Sequence, residues 1–123
     1  MEPLNPFSYF VNENEKKTFT FPRRVDGKLF LIIGESKNYV PISVIVNAWD
    51  ELDAKTLLGL AFSFGIECCN EYNKNKRTQT FIDKTDLINS LKQFQDCLEG
   101  KSQEIDFSIK EVNHNQFFKI SVT

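Results

Sequence analysis

The hydrophobic period of this chain changes near residue 49, and no other feature limits the fold as much. Upstream, apolar side chains recur at every second position. KTFTF (17–21) sets Phe19 and Phe21 on one face, and YVPISVIV (39–46) aligns Val40, Ile42, Val44 and Val46. Between them KLFLIIG (28–34) is a continuous apolar run, the pattern of a strand buried on both faces. Downstream of Asp50 the spacing becomes three and four. Leu57, Leu58, Ala61, Phe62, Gly65, Cys68, Cys69 and Tyr72 fall on one side of a helix over roughly residues 50–73. A chain that switches from period 2 to period 3.6 must pack helices onto a sheet.

The remaining elements follow from the same signals. Pro22 ends the first strand or places it at an edge, and Asp26-Gly27 makes a turn into the second. Asn47 or Asp50 caps the first helix, and Asp50, Glu51 and Asp53 place negative charge at its positive end. Gly59 and Gly65 each cost about 1 kcal/mol relative to Ala inside a helix, so a break at either is the competing reading. NKNKRTQ (73–79) reads as a polar loop and TFI (80–82) as a short strand. A second helix begins at Asp83 or Thr85, carries Leu87, Ile88, Leu91, Phe94, Gln95 and Leu98, and ends at Gly100. Ile105, Phe107 and Ile109 then alternate, Asn113-His114-Asn115 turns, and Phe118, Ile120 and Val122 return.

The expected architecture is therefore α+β. It has an antiparallel sheet of about five strands, in the order β-β-β-α-α-β-β, with two helices packed on one face. The 123 residues make one domain (1–123), in which 1–15 is a partly extended N-terminal arm. Leu4, Phe7, Tyr9 and Phe10 give that arm apolar surface to bury. Twelve Phe and 41% hydrophobic residues supply a core without disulfides or metal.

Composition narrows the function. The net charge is −2, whereas a dedicated nucleic-acid binder is normally basic, so nucleic acid is not the expected partner. The N-terminus lacks a basic stretch followed by an apolar run, and the apolar segments are too short to span a bilayer. A cytoplasmic protein is expected, with its three cysteines reduced.

IECCNEY (66–72) is the most chemical-looking segment. Cys68 and Cys69 lie on the apolar arc of the helix, where free cysteine acts as a small hydrophobe. Adjacent helical residues diverge by about 100° and chelate one ion poorly. His114, the only imidazole, sits in a turn, and Glu67 and Glu71 raise rather than lower a neighbouring thiol pKa. No phosphate loop, nucleophile elbow or zinc-protease motif is present. The reading is no enzyme, no catalytic residue, no metal and no cofactor. Two basic clusters, Lys16/Lys17/Arg23/Arg24/Lys28 and Lys74/Lys76/Arg77, read as solvated edges that deter strand pairing.

What remains is a binding protein. The expected role is that of a small immunity or inhibitor protein which neutralises a cognate, nuclease-like bacterial toxin domain. Carboxylates on such a protein steer it onto a basic partner. The candidate partner-binding residues are Trp49, Asp50, Glu51, Asp53, Glu67, Glu71 and Tyr72, with Trp49 expected to close the end of the core unless it is exposed as an anchor. The alternatives are a homodimeric adaptor or secretion chaperone, and a nucleic-acid module using the basic first hairpin.

Overall fold

The structure is a computed structural model and describes residues 7–38, 41–75 and 83–113. In chain order these form β1 (Ser8–Phe10), β2 (Lys16–Thr18), β3 (Lys28–Glu35), β4 (Ile42–Ala48), α1 (Glu51–Asn75), α2 (Thr85–Leu98) and β5 (Asp106–Val112). All strand pairings are antiparallel. The chain is an α+β fold with two helices packed against antiparallel strands. The five strands divide into a two-stranded ribbon, β1-β2, and a three-stranded sheet in the order β4-β3-β5.

Register follows the alternation read from sequence. Phe30 pairs with Val46, and Ile32 stands between Val44 and Ile109. Phe30, Ile32, Val44, Val46 and Ala48 all point into the core. The helix α1 lays Ala54, Leu57, Leu58, Ala61 and Phe62 onto that face. Phe62 is fully buried between Phe7 and Phe94, with ring centroids at 5.7 and 5.6 Å. Truncating a ring so placed removes about 3–5 kcal/mol. The opposite sheet face is also aliphatic: Leu29, Leu31, Ile33 and Ile45 stand on it half-buried, between Ser43 and Lys110.

Two expectations are corrected. The KTFTF segment, expected to turn at Asp26-Gly27 into the next strand of one sheet, does not pair with β3. Its strand is only Lys16–Thr18 and pairs with the N-terminal arm, Ser8 opposite Thr18. Both β2 faces are exposed, so no buried pattern ties it to β3. Phe19 and Phe21 lie beyond the strand but still pack against the core, their rings 5.0 Å apart. The arm is thereby fastened, with Phe7 and Val11 buried. The second correction concerns Trp49, which lies exposed at the end of β4 and does not close the core.

Helix α1 runs unbroken through both glycines. At Gly65 the absence of a side chain admits Tyr9, whose Cζ lies 2.7 Å from where a Cβ would stand. Helix α2 ends as a Schellman motif: Gly100 N–H donates to Cys97 O, Lys101 N–H to Asp96 O, and Gly100 takes φ +84°. Its start is ordered by Asp83, whose carboxylate accepts from both the amide and the hydroxyl of Thr85. Among the described residues no helix is long and apolar enough to cross a membrane. The expected strands at 80–82 and 116–123, and His114, lie outside the described residues.

Candidate protein-binding surface

The alternation of β4 dictates where Trp49 goes. Val44, Val46 and Ala48 face inward, so the odd-numbered residues face out. The indole is 55% exposed, yet it is held on three sides. Its Nε1 donates to Val25 O at 3.1 Å, and its backbone N–H donates to Asp53 Oδ2 at 3.0 Å. The Arg24 guanidinium lies 4.2 Å from the ring centroid. The tight turn Arg24–Gly27, closed by Gly27 N–H to Arg24 O and with Asp26 at φ +59°, presents Val25 beside the ring. Val25 is 82% exposed, and Leu52, three residues beyond Trp49, is 71% exposed.

Asp53 organises this end. It accepts from Arg24 Nε and Nη2, both at 3.0 Å, in a bidentate pair. The Arg24 hydrogen bonds, with the Trp49 amide next and the Arg24 charge adding less, hold its carboxyl below the usual range although desolvation opposes them. Arg24 is raised in turn, chiefly by its hydrogen bond to Asp53. Asp50 is the helix cap, its Oδ1 accepting from Asp53 N–H at 2.7 Å. Glu51 is exposed, as is Asp26 across the turn, and neither forms an ion pair among the described residues.

The seven residues singled out from sequence thus fall into two groups. Trp49, Asp50, Glu51 and Asp53 cluster at the start of α1, although Asp53 is neutralised by Arg24 and Asp50 is engaged as a cap. Glu67, Glu71 and Tyr72 lie roughly 24 Å or more further along the helix from Glu51, at 1.5 Å per residue. There Glu67 is exposed, Glu71 pairs with Lys17 at 3.6 Å, and Tyr72 is half-buried with Lys84 Nζ 4.9 Å from its ring. The first basic cluster is likewise dispersed: Lys16 lies over Phe10, Lys17 meets Glu71, Arg24 meets Asp53, and Lys28 meets Glu111.

Cys68 and Cys69 are buried at 4% and 1% exposure, as expected from their helix face. Burial, the largest cause, pushes both thiols up; Lys17 pulls the other way on Cys68 and Lys84 on Cys69. They are packing groups, protonated at neutral pH. No group of three or more His, Cys, Asp or Glu among the described residues is arranged to hold a metal ion.

The chain matches no protein-family model, no curated protein and no solved structure. The surface is therefore read from its chemistry alone. Sequence reasoning missed three of its members. Arg24 looked like edge dressing, Val25 was given no role, and Leu52 fell outside the apolar arc of α1. The parity of Trp49, one residue past the end of β4, was the signal available for its exposure.

Proposed function

We propose that the protein is a non-enzymatic binding protein acting on one folded, basic protein partner, and that its role is immunity or inhibition of a nuclease-like toxin domain. One observation carries this reading: an exposed tryptophan is immobilised rather than loose. Interface hot spots are enriched in Trp and Arg. An anchor fixed before binding avoids the ordering cost of about 0.5–1.5 kcal/mol that a free side chain meets on association. Trp49 is stacked on Arg24 and pinned at Nε1, and Val25 and Leu52 flank it with apolar surface. Asp26, Asp50 and Glu51 rim this patch with exposed carboxylates, against exposed Arg23 and Lys55. That balance suits a partner with a basic rim around an apolar socket.

The test is affinity capture from native cells with tagged wild type and Trp49→Ala in parallel. Wild type retains one stoichiometric, basic partner at moderate salt. The variant releases it, and the captured domain loses its toxic activity on addition of wild type. A partner held equally by the variant refutes the reading.

A second reading has its own observation. The aliphatic stripe of Leu29, Leu31, Ile33 and Ile45 on the outer sheet face is unusual for a sheet that, among the described residues, has helices on one side only. It favours the adaptor or chaperone class, dimeric through that face. Sedimentation equilibrium separates the two: a monomer supports the inhibitor, and a stable dimer supports the adaptor.

A further inference from the structure

Helix α1 is longer than the helix that covers it. Gln95 Nε2 donates to Gly59 O and to Ser63 Oγ, and Leu98 Cδ2 reaches within 3.9 Å of the Cβ position at Gly59. Helix α2 stops there, at Leu98. The first eight residues of α1, about 12 Å, extend past its end. On a helix, positions 52, 55 and 56 continue the stripe that at 59, 62, 63 and 66 faces α2. Leu52 therefore continues the seam beyond the end of α2, where it is exposed and no helix covers it among the described residues.

Beneath this overhang lies a cleft of about 950 Å³, bounded by the start of α1, the end of α2, residues 102–105 and the edge strand β5. Leu52, Leu98, Ile105, Phe107 and Ile109 give it an apolar lining. Phe107 and Ile109 point to the core side of β5 and are partly buried against the core. Glu51 and Asp106 line the same cleft as exposed carboxylates, against the single cation Lys55 among its described lining residues. Lys101, close by, is already taken by Glu99 at 2.9 Å.

We infer that this cleft receives a segment of the protein partner that prolongs the α2 layer, seats an aliphatic or aromatic side chain against Leu52 and Ile109, and sets a flanking lysine or arginine beside Glu51 and Asp106. The inference rests on the protein-binding reading above and locates the second half of that interface, adjoining Trp49 through Leu52. The apolar lining recognises the anchor. The carboxylate excess selects its cationic neighbours, since like charges across an interface are strongly disfavoured. A small polar ligand would leave the aliphatic floor unused.

The test uses the full chain and three fluorescent peptides: Lys-Leu-Lys-Phe-Lys-Leu, the same peptide with Glu for Lys, and the same peptide with Ser for Leu and Phe. Binding is followed by anisotropy and by amide shifts in NMR spectra. The first peptide binds, shifts Leu52, Ile105, Phe107 and Ile109, and outcompetes both others by about tenfold or more. Glu51→Lys with Asp106→Lys, both at exposed positions, weakens it by about tenfold while circular dichroism stays unchanged. Shifts that map elsewhere, or equal binding of the Glu peptide, overturn the inference. Trp49-dependent capture with no peptide in the cleft thus sinks only this inference, and cleft binding with no Trp49-dependent partner sinks only the earlier reading.

Discussion

Arg24 and Asp53 lie 29 residues apart and meet through two parallel hydrogen bonds of 3.0 Å, with the same guanidinium laid over Trp49. One side chain thus joins the turn before β3, the start of α1 and the exposed indole. A planar fork is needed for both tasks, and lysine has none. Arg24→Ala releases the ring, and Arg24→Lys behaves more like the alanine variant than like wild type. Trp49 is the sole tryptophan, so its emission reports directly. Both variants show a red-shifted spectrum and lower anisotropy. An Arg24→Lys spectrum identical to wild type contradicts the bidentate account.

The same pair sets a pH dependence. The folded-state pKa of Asp53 is lowered, first by the Arg24 hydrogen bonds and then by the Trp49 amide. A group depressed on folding contributes stability that is fully present above its unfolded value, about 3.9, and is lost as pH falls through the lower folded value. The Trp49 signal is therefore flat from neutrality down to about pH 4 and changes only below it. Asp53→Asn removes that acid transition. A fluorescence titration with its midpoint above about pH 5 contradicts the assignment.

Both helices were legible because two independent signals agree in each: apolar spacing and terminal chemistry. Leu57, Ala61, Phe62 and Cys69 mark the buried arc of α1 and Asp50 its cap; Gly100 marks the end of α2. Strands β3 and β4 were legible for the same reason, since a one-residue slip would expose Phe30, Ile32, Val44 and Val46 together. The partner of β2 was not legible. Its residues are exposed on both faces and its pairing rests on local contacts such as the 2.7 Å hydrogen bond between the Ser8 and Thr18 hydroxyls. The surface around Trp49 was half legible. The carboxylates were visible, but the neutralisation of Asp53 depends on an arginine brought in from another turn. The exposure of Leu52 depends on where a different helix ends.

The two glycines of α1 respond oppositely to the same change. Among the described residues nothing but Leu98 Cδ2, at 3.9 Å, approaches a Cβ at Gly59, so Gly59→Ala stabilises the helix by up to about 1 kcal/mol. At Gly65 a Cβ meets Tyr9 Cζ at 2.7 Å, Tyr9 Oη at 2.8 Å and Leu91 Cδ1 at 3.0 Å. There the overpacking cost of about 1–3 kcal/mol exceeds the propensity gain. Urea denaturation at constant m-value measures both. Destabilisation by Gly59→Ala and stabilisation by Gly65→Ala refute the packing of α1 against α2 and the ribbon.

The adjacent thiols give a fourth measurable consequence. Burial, the leading cause, raises Cys68 and Cys69 above the ordinary cysteine range. Thiolate is the reactive form, and its fraction at pH 7 is small for both. Alkylation of native protein proceeds at least about a hundredfold slower than in denaturant, limited by opening of α1. Rapid labelling of either cysteine at neutral pH contradicts their burial.

Charge and anchoring at the α1 end separate kinetically. Trp49 lies outside the core, so Trp49→Ala changes folding stability by no more than about 0.5 kcal/mol, apart from the lost stacking on Arg24. As an anchor it costs about 2 kcal/mol or more of binding, near thirtyfold in Kd, mainly through faster dissociation. Glu51 is exposed and unpaired among the described residues, so Glu51→Lys slows association and flattens its salt dependence. Reversing Asp50 or Asp53 is a poorer probe, because the first removes the helix cap and the second breaks the Arg24 pair. Stopped-flow association of the captured partner, across a range of salt, assigns each effect to its rate constant. A Trp49→Ala variant that dissociates as slowly as wild type moves the interface away from this end of the molecule.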